Sequence, residues 1–265
     1  LVPTPLEEEP IVELNIVNPD PRYSKATLVE PTTLGYIHVA AEVRPRPLPL
    51  GALVPAGREK WELLGTVKQI ARELERLEQV EKATVFDAVA IAPVTRFSPY
   101  LRERKDEIHV AQFDVVVMIE TESPEAAAEV QRSRPYEDLS AALNATARHT
   151  HAIAARNAKR IGDVDKTRQG LFLFNYFVAD DRGVALELWD YLAGWYQLEL
   201  GLDNSTLLVP LDGESDYVAI NNARFDEGLP SVIARQMSKK RFRSYVQANL
   251  EANRVGAMPI LYRLA

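Results

Sequence analysis

Residues Leu171–Gly201 read LFLFNYFVADDRGVALELWDYLAGWYQLELG, an aromatic, β-prone run followed without a domain boundary by a long helical pattern. Leu, Phe, Tyr and Val dominate Leu171–Val178 and fit a buried pleated surface better than a helix, so the run predicts a central strand. Asn175 interrupts it, and a buried amide costs kilocalories unless its donors and acceptors find partners in the protein or on a ligand. Asp180-Asp181-Arg182-Gly183 supplies turn chemistry. Beyond it, Leu188, Trp189, Leu192, Trp195, Tyr196 and Leu200 recur at spacings of three and four, an apolar stripe whose natural partner is a sheet.

Downstream, Ser205–Leu211 and Asp216–Phe225 predict a hairpin turning at Asp212-Gly213, Ser231–Asn253 a helix and Met258–Leu264 a closing strand. In that helix Ile233, Met237, Phe242, Tyr245, Val246 and Leu250 are the inward candidates. Upstream, Leu34–Val43 reads as a strand stopped by Pro45, Pro47 and Pro49. A helix over Trp61–Val80 follows, with Trp61, Leu64, Val67, Ile70, Leu74, Leu77 and Val80 on one face. Thr84–Ile91 and Val110–Ile119 are strands separated by a charged connection, Arg96–Glu107. Ser123-Pro124-Glu125 starts a helix, with a hydroxyl cap, proline in the first turn and an early acid, that runs with a break near Pro135 to about Ala147. For His149–Arg156 the alanines favour helix while the architecture wants a closing strand, and strand is the preferred reading. Arg156–Asp165 reads as a charged connector. Each half is therefore β-α-β-β-α-β, the split βαβ plan: a divergent module over 34–165 and a second over 171–265. Residues 1–33, rich in Pro and Glu, form an arm whose apolar Ile11–Val17 is expected to help hold a homo-oligomer.

The chain has 265 residues, 46% of them hydrophobic, enough to bury a sizeable core. A net charge of −7 gives no field to hold nucleic acid or an anionic membrane. There are no cysteines, which excludes disulfides and thiolate sites and makes cytoplasm the default location. No apolar run is long enough to span a membrane. Without G-x-S-x-G, H-E-x-x-H, P-loop or G-x-G-x-x-G sequences, no signature points to hydrolase, zinc protease, NTPase or dinucleotide chemistry.

The strand LFLFNYFV, the helix ELWDYLAGWYQLE, the hairpin ending in DYVAINNARFDE and the closing MPILYRL together resemble the antibiotic-biosynthesis-monooxygenase type of ferredoxin-like module in the dimeric α+β barrel superfamily. The first half looks like a divergent copy, and the fused arrangement is similar to EthD-like and chlorite-dismutase-like relatives. The resemblance implies an α+β fold in which the two modules pair their sheets into a barrel, with the connection 96–107 placed to cover one end. It also implies a small-molecule ligand and either a cofactor-independent oxygenase or isomerase acting on an aromatic or keto-enolic substrate, or a non-catalytic binding or assembly protein. No cofactor is expected; haem is the alternative, weakened in the second module because all four histidines, His38, His109, His149 and His151, lie in the first half, which leaves the histidine-bearing half as its place.

Asn175, Asn221, Asn222 and Arg224 interrupt strands that otherwise read as buried. In a helix-covered barrel such side chains point into the lumen or sit at strand ends. Arg224 suits an enolate, carboxylate or phenolate and an Asn suits a carbonyl. A cavity bounded by Asn175, one of Asn221 or Asn222, and Arg224 is therefore expected, with Arg224 and Asn175 as catalytic candidates. The plainer alternatives are a strand-end ion pair of Arg224 with Asp226 and a turn or bulge at Asn221-Asn222. Trp189 is a further ligand-contact candidate whose spacing equally suits a packed helix face. His38 and Glu42 share one strand face, as an acid–base pair in the lumen or an ordinary sheet pair. His149 and His151 share a face only on a strand, and with no acid at a compatible short spacing no metal site is expected.

Overall fold

The computed structural model describes residues 13–45, 57–212 and 215–265. Eight strands, β1 Gly35–Glu42, β2 Val80–Ile91, β3 Val115–Thr121, β4 His149–Gly162, β5 Leu171–Ala179, β6 Ser205–Pro210, β7 Ala219–Phe225 and β8 Val255–Leu264, close into one antiparallel barrel in the order β1-β3-β2-β8-β5-β7-β6-β4. Within each half the order is fourth, first, third, second, the ferredoxin-like arrangement. Each half leaves two open edges, and the other half closes both, through β2 on β8 and β4 on β6. Closure leaves no unpaired edge.

Strand alternation divides the side chains into an inner and an outer set. Inward, Phe86, Phe113, Phe172, Phe174, Tyr176, Tyr217 and Tyr262 fill the lumen. Outward, Ile37, Val39, Val85 and Val117 pack under α1 Arg58–Leu74 and α4 Arg134–Thr146, while Leu171, Phe177, Leu207 and Ala219 pack with α5 Arg182–Leu200. Asp181 caps α5 by accepting from the Val184 N–H at 2.9 Å, and Gly201 ends it at φ 61, a left-handed turn that glycine takes without Cβ strain. Ser123 caps the short α3 Pro124–Val130 through the Ala126 N–H. Between β2 and β3 comes α2 Pro99–Glu103, whose Tyr100 and Leu101 join the lumen cluster where Val178 and Gly256 end their strands. The charged connection does cover one end of the barrel.

Four elements differ from the sequence reading. The strand expected over Val110–Ile119 begins at Val115, because before it the His109 and Gln112 N–H groups bond to the side chains of Asp216 and Glu42 instead of a neighbouring strand. The first helix begins at Arg58 and ends at Leu74, so Val80 opens β2, and Trp61 is 73% exposed. Its inward stripe is centred on Leu63, Val67, Ile70 and Leu74, which leaves Trp61 about 120° round the helix from Val67. The last long helix is broken into α6 Leu229–Ser238, a π-helical turn Phe242–Gln247 and α7 Ala248–Ala252. Lys239 leaves the helical region there (ψ 108) and reaches Glu199 at 2.8 Å, and the shifted phase buries Val232 and exposes Met237. Finally, β4 continues to Gly162 through the presumed connector, its alternation blurred by register shifts opposite β6.

The described part of the arm, residues 13–33, lies on its own chain. Asn253 and Asn249, one turn apart, each bond both main-chain groups of an arm residue, Asn15 and Val17 respectively, at 2.7–3.1 Å. Tyr23 packs against Tyr245 with ring centroids 4.7 Å apart and the planes tilted by 46°. Ile11 and Val12 of the proposed oligomer segment fall outside the described residues.

Candidate active site

The inner wall brings His109, His149 and His151 to one mouth of the barrel, with His38 further down the same wall. On β4 the alternation sends His149, His151 and Ile153 inward, and β1 opposes them with Glu42, Ala40 and His38 in register. His109 arrives from the segment before β3. Its ring stacks on His149 at 3.7 Å and 16°, and its Nε2 meets Glu42 Oε1 at 2.7 Å. Glu42 also accepts from the Gln112 N–H at 2.9 Å, and the Tyr217 hydroxyl donates to the His109 carbonyl at 3.0 Å, so both flanks of the segment are tied down. His151 contacts Ser215 Oγ at 3.1 Å and lies edge-on to Tyr217. Deeper in, His38 Nε2 is 3.3 Å from the Tyr176 hydroxyl, which is 3.5 Å from that of Tyr262; Tyr262 donates to the Phe113 carbonyl at 2.7 Å.

Burial sets the protonation of this layer. Desolvation pushes His38 down to about 3 and His151 down to about 4, and it lowers His149, assisted by the neighbouring His109. These three imidazoles are neutral at pH 7. The phenols of Tyr176, Tyr217 and Tyr262 are raised by burial and remain protonated. Among them His149 is half exposed, neutral and free of any protein hydrogen bond to its ring among the described residues, which is the state a general base requires. Glu42 favours the cation that His149 becomes on accepting a proton. The Nδ1 atoms of His38 and His151 are buried without partners, an arrangement that costs stability.

The residues singled out from sequence are divided by the barrel wall. Asn222 and Arg224 face inward, but toward the other mouth: Arg224 is seven residues from Tyr217, about 23 Å along an extended strand. Arg224 is buried, pairs with Asp226 at 2.8 Å and donates to the Gln169 carbonyl at 2.8 Å, which is the strand-end ion pair. Its Nε and the Asn222 Oδ1 have no partner. Asn175 and Asn221 oppose each other on the outer face, where Asn221 accepts from Ser205 at 2.6 Å. The expected cavity is corrected accordingly, since Asn175 and Arg224 lie on opposite faces of one wall. Trp189 is buried in the outer core. His38 and Glu42 do share the lumen, yet Glu42 takes His109 as its partner. Sequence reasoning missed His109 and the three tyrosines, whose encounter depends on barrel closure; the strand parity of His149 and His151 was the one local signal.

No three His, Asp or Glu side chains among the described residues are placed to hold a metal ion. Haem does not fit the lumen: its one fully enclosed imidazole, His38, is packed against Phe174 and Tyr176, with Phe86 and Tyr262 filling the space beyond. The second half has no histidine to ligate one.

No protein-family model matches the sequence, and a search of curated proteins gave no match. Among solved structures, an anthrone oxidase-like protein superposes with a TM-score of 0.58 at 11% identity, covering 88% of this chain and 91% of that one. A candidate monooxygenase from Fusobacterium nucleatum gives 0.50 at 8%, covering 87% and 93%. Chlorite dismutase from Candidatus Nitrospira defluvii gives 0.43 at 9%, covering 89% and 92%. The chain thus has the α+β barrel scaffold of monooxygenase-like proteins, and at these identities the likeness is one of fold.

Proposed function

We propose that the chain is a small-molecule-binding barrel that works as a cofactor-independent oxygenase on an enolisable aromatic ketone, with His149 as general base. The observation that carries the reading is the convergence of His109, His149, His151, Glu42 and Tyr217 on one mouth, with His38 behind them, from segments as far apart as β1, β4 and the loop before β7. Residues that break packing rules together mark function more often than fold. A polycyclic ketone with an activated methylene loses a proton to neutral His149, and Glu42 stabilises the imidazolium. The resulting enolate reduces dioxygen at carbon; the methylene becomes a carbonyl and one water leaves, so CH2 and O2 balance C=O and H2O.

The anthrone oxidase-like relative suggests anthrone as the probe. Oxygen uptake with anthrone, stoichiometric with anthraquinone and above the buffer rate, supports the proposal; uptake at the buffer rate overturns it. The second reading, a non-catalytic barrel, is favoured by the aromatic filling of the lumen behind the mouth. Binding of anthrone without turnover would select it.

A further inference from the structure

We propose a second ligand site, on the outer face of the barrel, that takes a flat aromatic monoanion. Between α1 and the β2–β8 seam lies a groove of about 530 Å³, within the range of small-molecule sites. Along α1 its wall is Trp61, Leu64, Gly65 and Lys68, related by steps of three (61/64, 65/68) and four (61/65, 64/68) and therefore on one helical face; Asp87 and Arg263 form the opposite side.

Three independent features point to a guest. Trp61 is 73% exposed while the other two tryptophans, Trp189 and Trp195, are 5% and 0% exposed, so the groove is lined by the one indole face that the described chain leaves uncovered. Gly65 sits inside a helix, where glycine is less favourable than alanine, yet a Cβ there would meet nothing within 4 Å. No packing demand of the chain itself explains that glycine, and it leaves open the space beside the indole. The charge is also one-sided. Asp87 is held by Lys60 at 2.7 Å and Arg263 at 3.0 Å, and Lys60 also reaches Asp114 at 3.1 Å, so two buried carboxylates balance two cations. Lys68 also lines the groove and forms no salt bridge among the described residues, the groove's carboxylate side chain, Asp87, being taken by Lys60 and Arg263. A ring stacked on Trp61 with its carboxylate toward Lys68 satisfies all three features.

The site is independent of the histidine mouth, which opens from the inner face. The test uses the three indole N–H signals in a nitrogen–proton correlation spectrum during titration with 2-naphthoate, with 2-naphthamide as the uncharged control. The Trp61 signal, identified by its loss in Trp61→Phe, is expected to shift saturably while the Trp189 and Trp195 signals hold still. Lys68→Gln should weaken naphthoate binding at least 5-fold and bring it level with naphthamide. Gly65→Leu should abolish binding with the two buried indole signals unmoved, which reports an intact fold. His149→Ala should bind like the parent. A Trp61 signal that does not move, naphthamide binding as tightly as naphthoate, or undiminished binding by Gly65→Leu overturns the proposal.

Discussion

The two halves of the barrel share one topology and divide its interior chemistry between them. The first half places four histidines and Glu42 on or beside the inner wall; the second contributes Phe172, Phe174, Tyr176, Tyr217 and Tyr262 and no histidine. Outside, the roles differ again. The first half packs aliphatic residues under α1 and α4 and inserts the Lys60–Asp87–Asp114 ion cluster, whereas the second packs Trp189, Trp195 and Tyr245 beneath the arm's Tyr23. A duplicated strand order therefore fixes which positions face the lumen and leaves the chemistry at those positions free to diverge. All four imidazoles come from one half, whereas both halves supply the rings around them, Phe86 and Phe113 from the first and Phe174, Tyr176, Tyr217 and Tyr262 from the second.

Truncating the packing half should produce the largest effect. Phe174 is fully buried and touches His38, Phe86 and Tyr262, so Phe174→Ala should cost about 3–5 kcal/mol in urea unfolding, the scale for a large aromatic cavity. A loss below 1 kcal/mol would mean that the lumen is not packed as described.

The titrating half is probed by pH. The folded-state values of His38 and His151, about 3 and about 4, lie below the ordinary 6.5, so between these limits the unfolded chain binds protons that the native chain does not. Their contribution to stability is complete above about pH 7 and falls as pH drops from 6.5 toward 4, by up to about 1.4 kcal/mol per pH unit for each group. His38→Phe should remove one such increment from the slope. An unchanged slope would show that His38 is not buried as the neutral form.

A smaller change is expected at the arm. Asn249→Ala removes both bonds to Val17 and should cost about 1–3 kcal/mol, with faster amide exchange at Val17 and unaltered exchange in the first half. Equal protection in parent and variant would show that the clamp does not hold the arm.

The fold was legible because strands such as LFLFNYFV and caps such as Ser123-Pro124 are local signals, and their order already spells the split βαβ plan. The helix boundaries failed where phase decides them: Trp61 lies off the inward stripe, and Lys239 interrupts a pattern that looks continuous. For the site, the polar residues within apolar strands were correctly recognised as unusual, but alternation places Asn175 and Asn221 outside and Asn222 and Arg224 inside, and sequence alone does not set that register. The histidine mouth was less legible still. Glu42 and His109 are 67 positions apart, and their meeting depends on how the segment before β3 crosses the mouth after the barrel has closed.

The central claim is that His149 is the base of an oxygenase site. The direct measurement is the pH profile of anthrone oxidation by the parent and by His149→Ala, with unfolding followed in parallel. Turnover in the parent is expected to fall as pH drops below the lowered value of His149, and the variant to lose at least about 10²-fold at unchanged stability. Parent-level oxidation by folded His149→Ala, with the same pH profile, would contradict it.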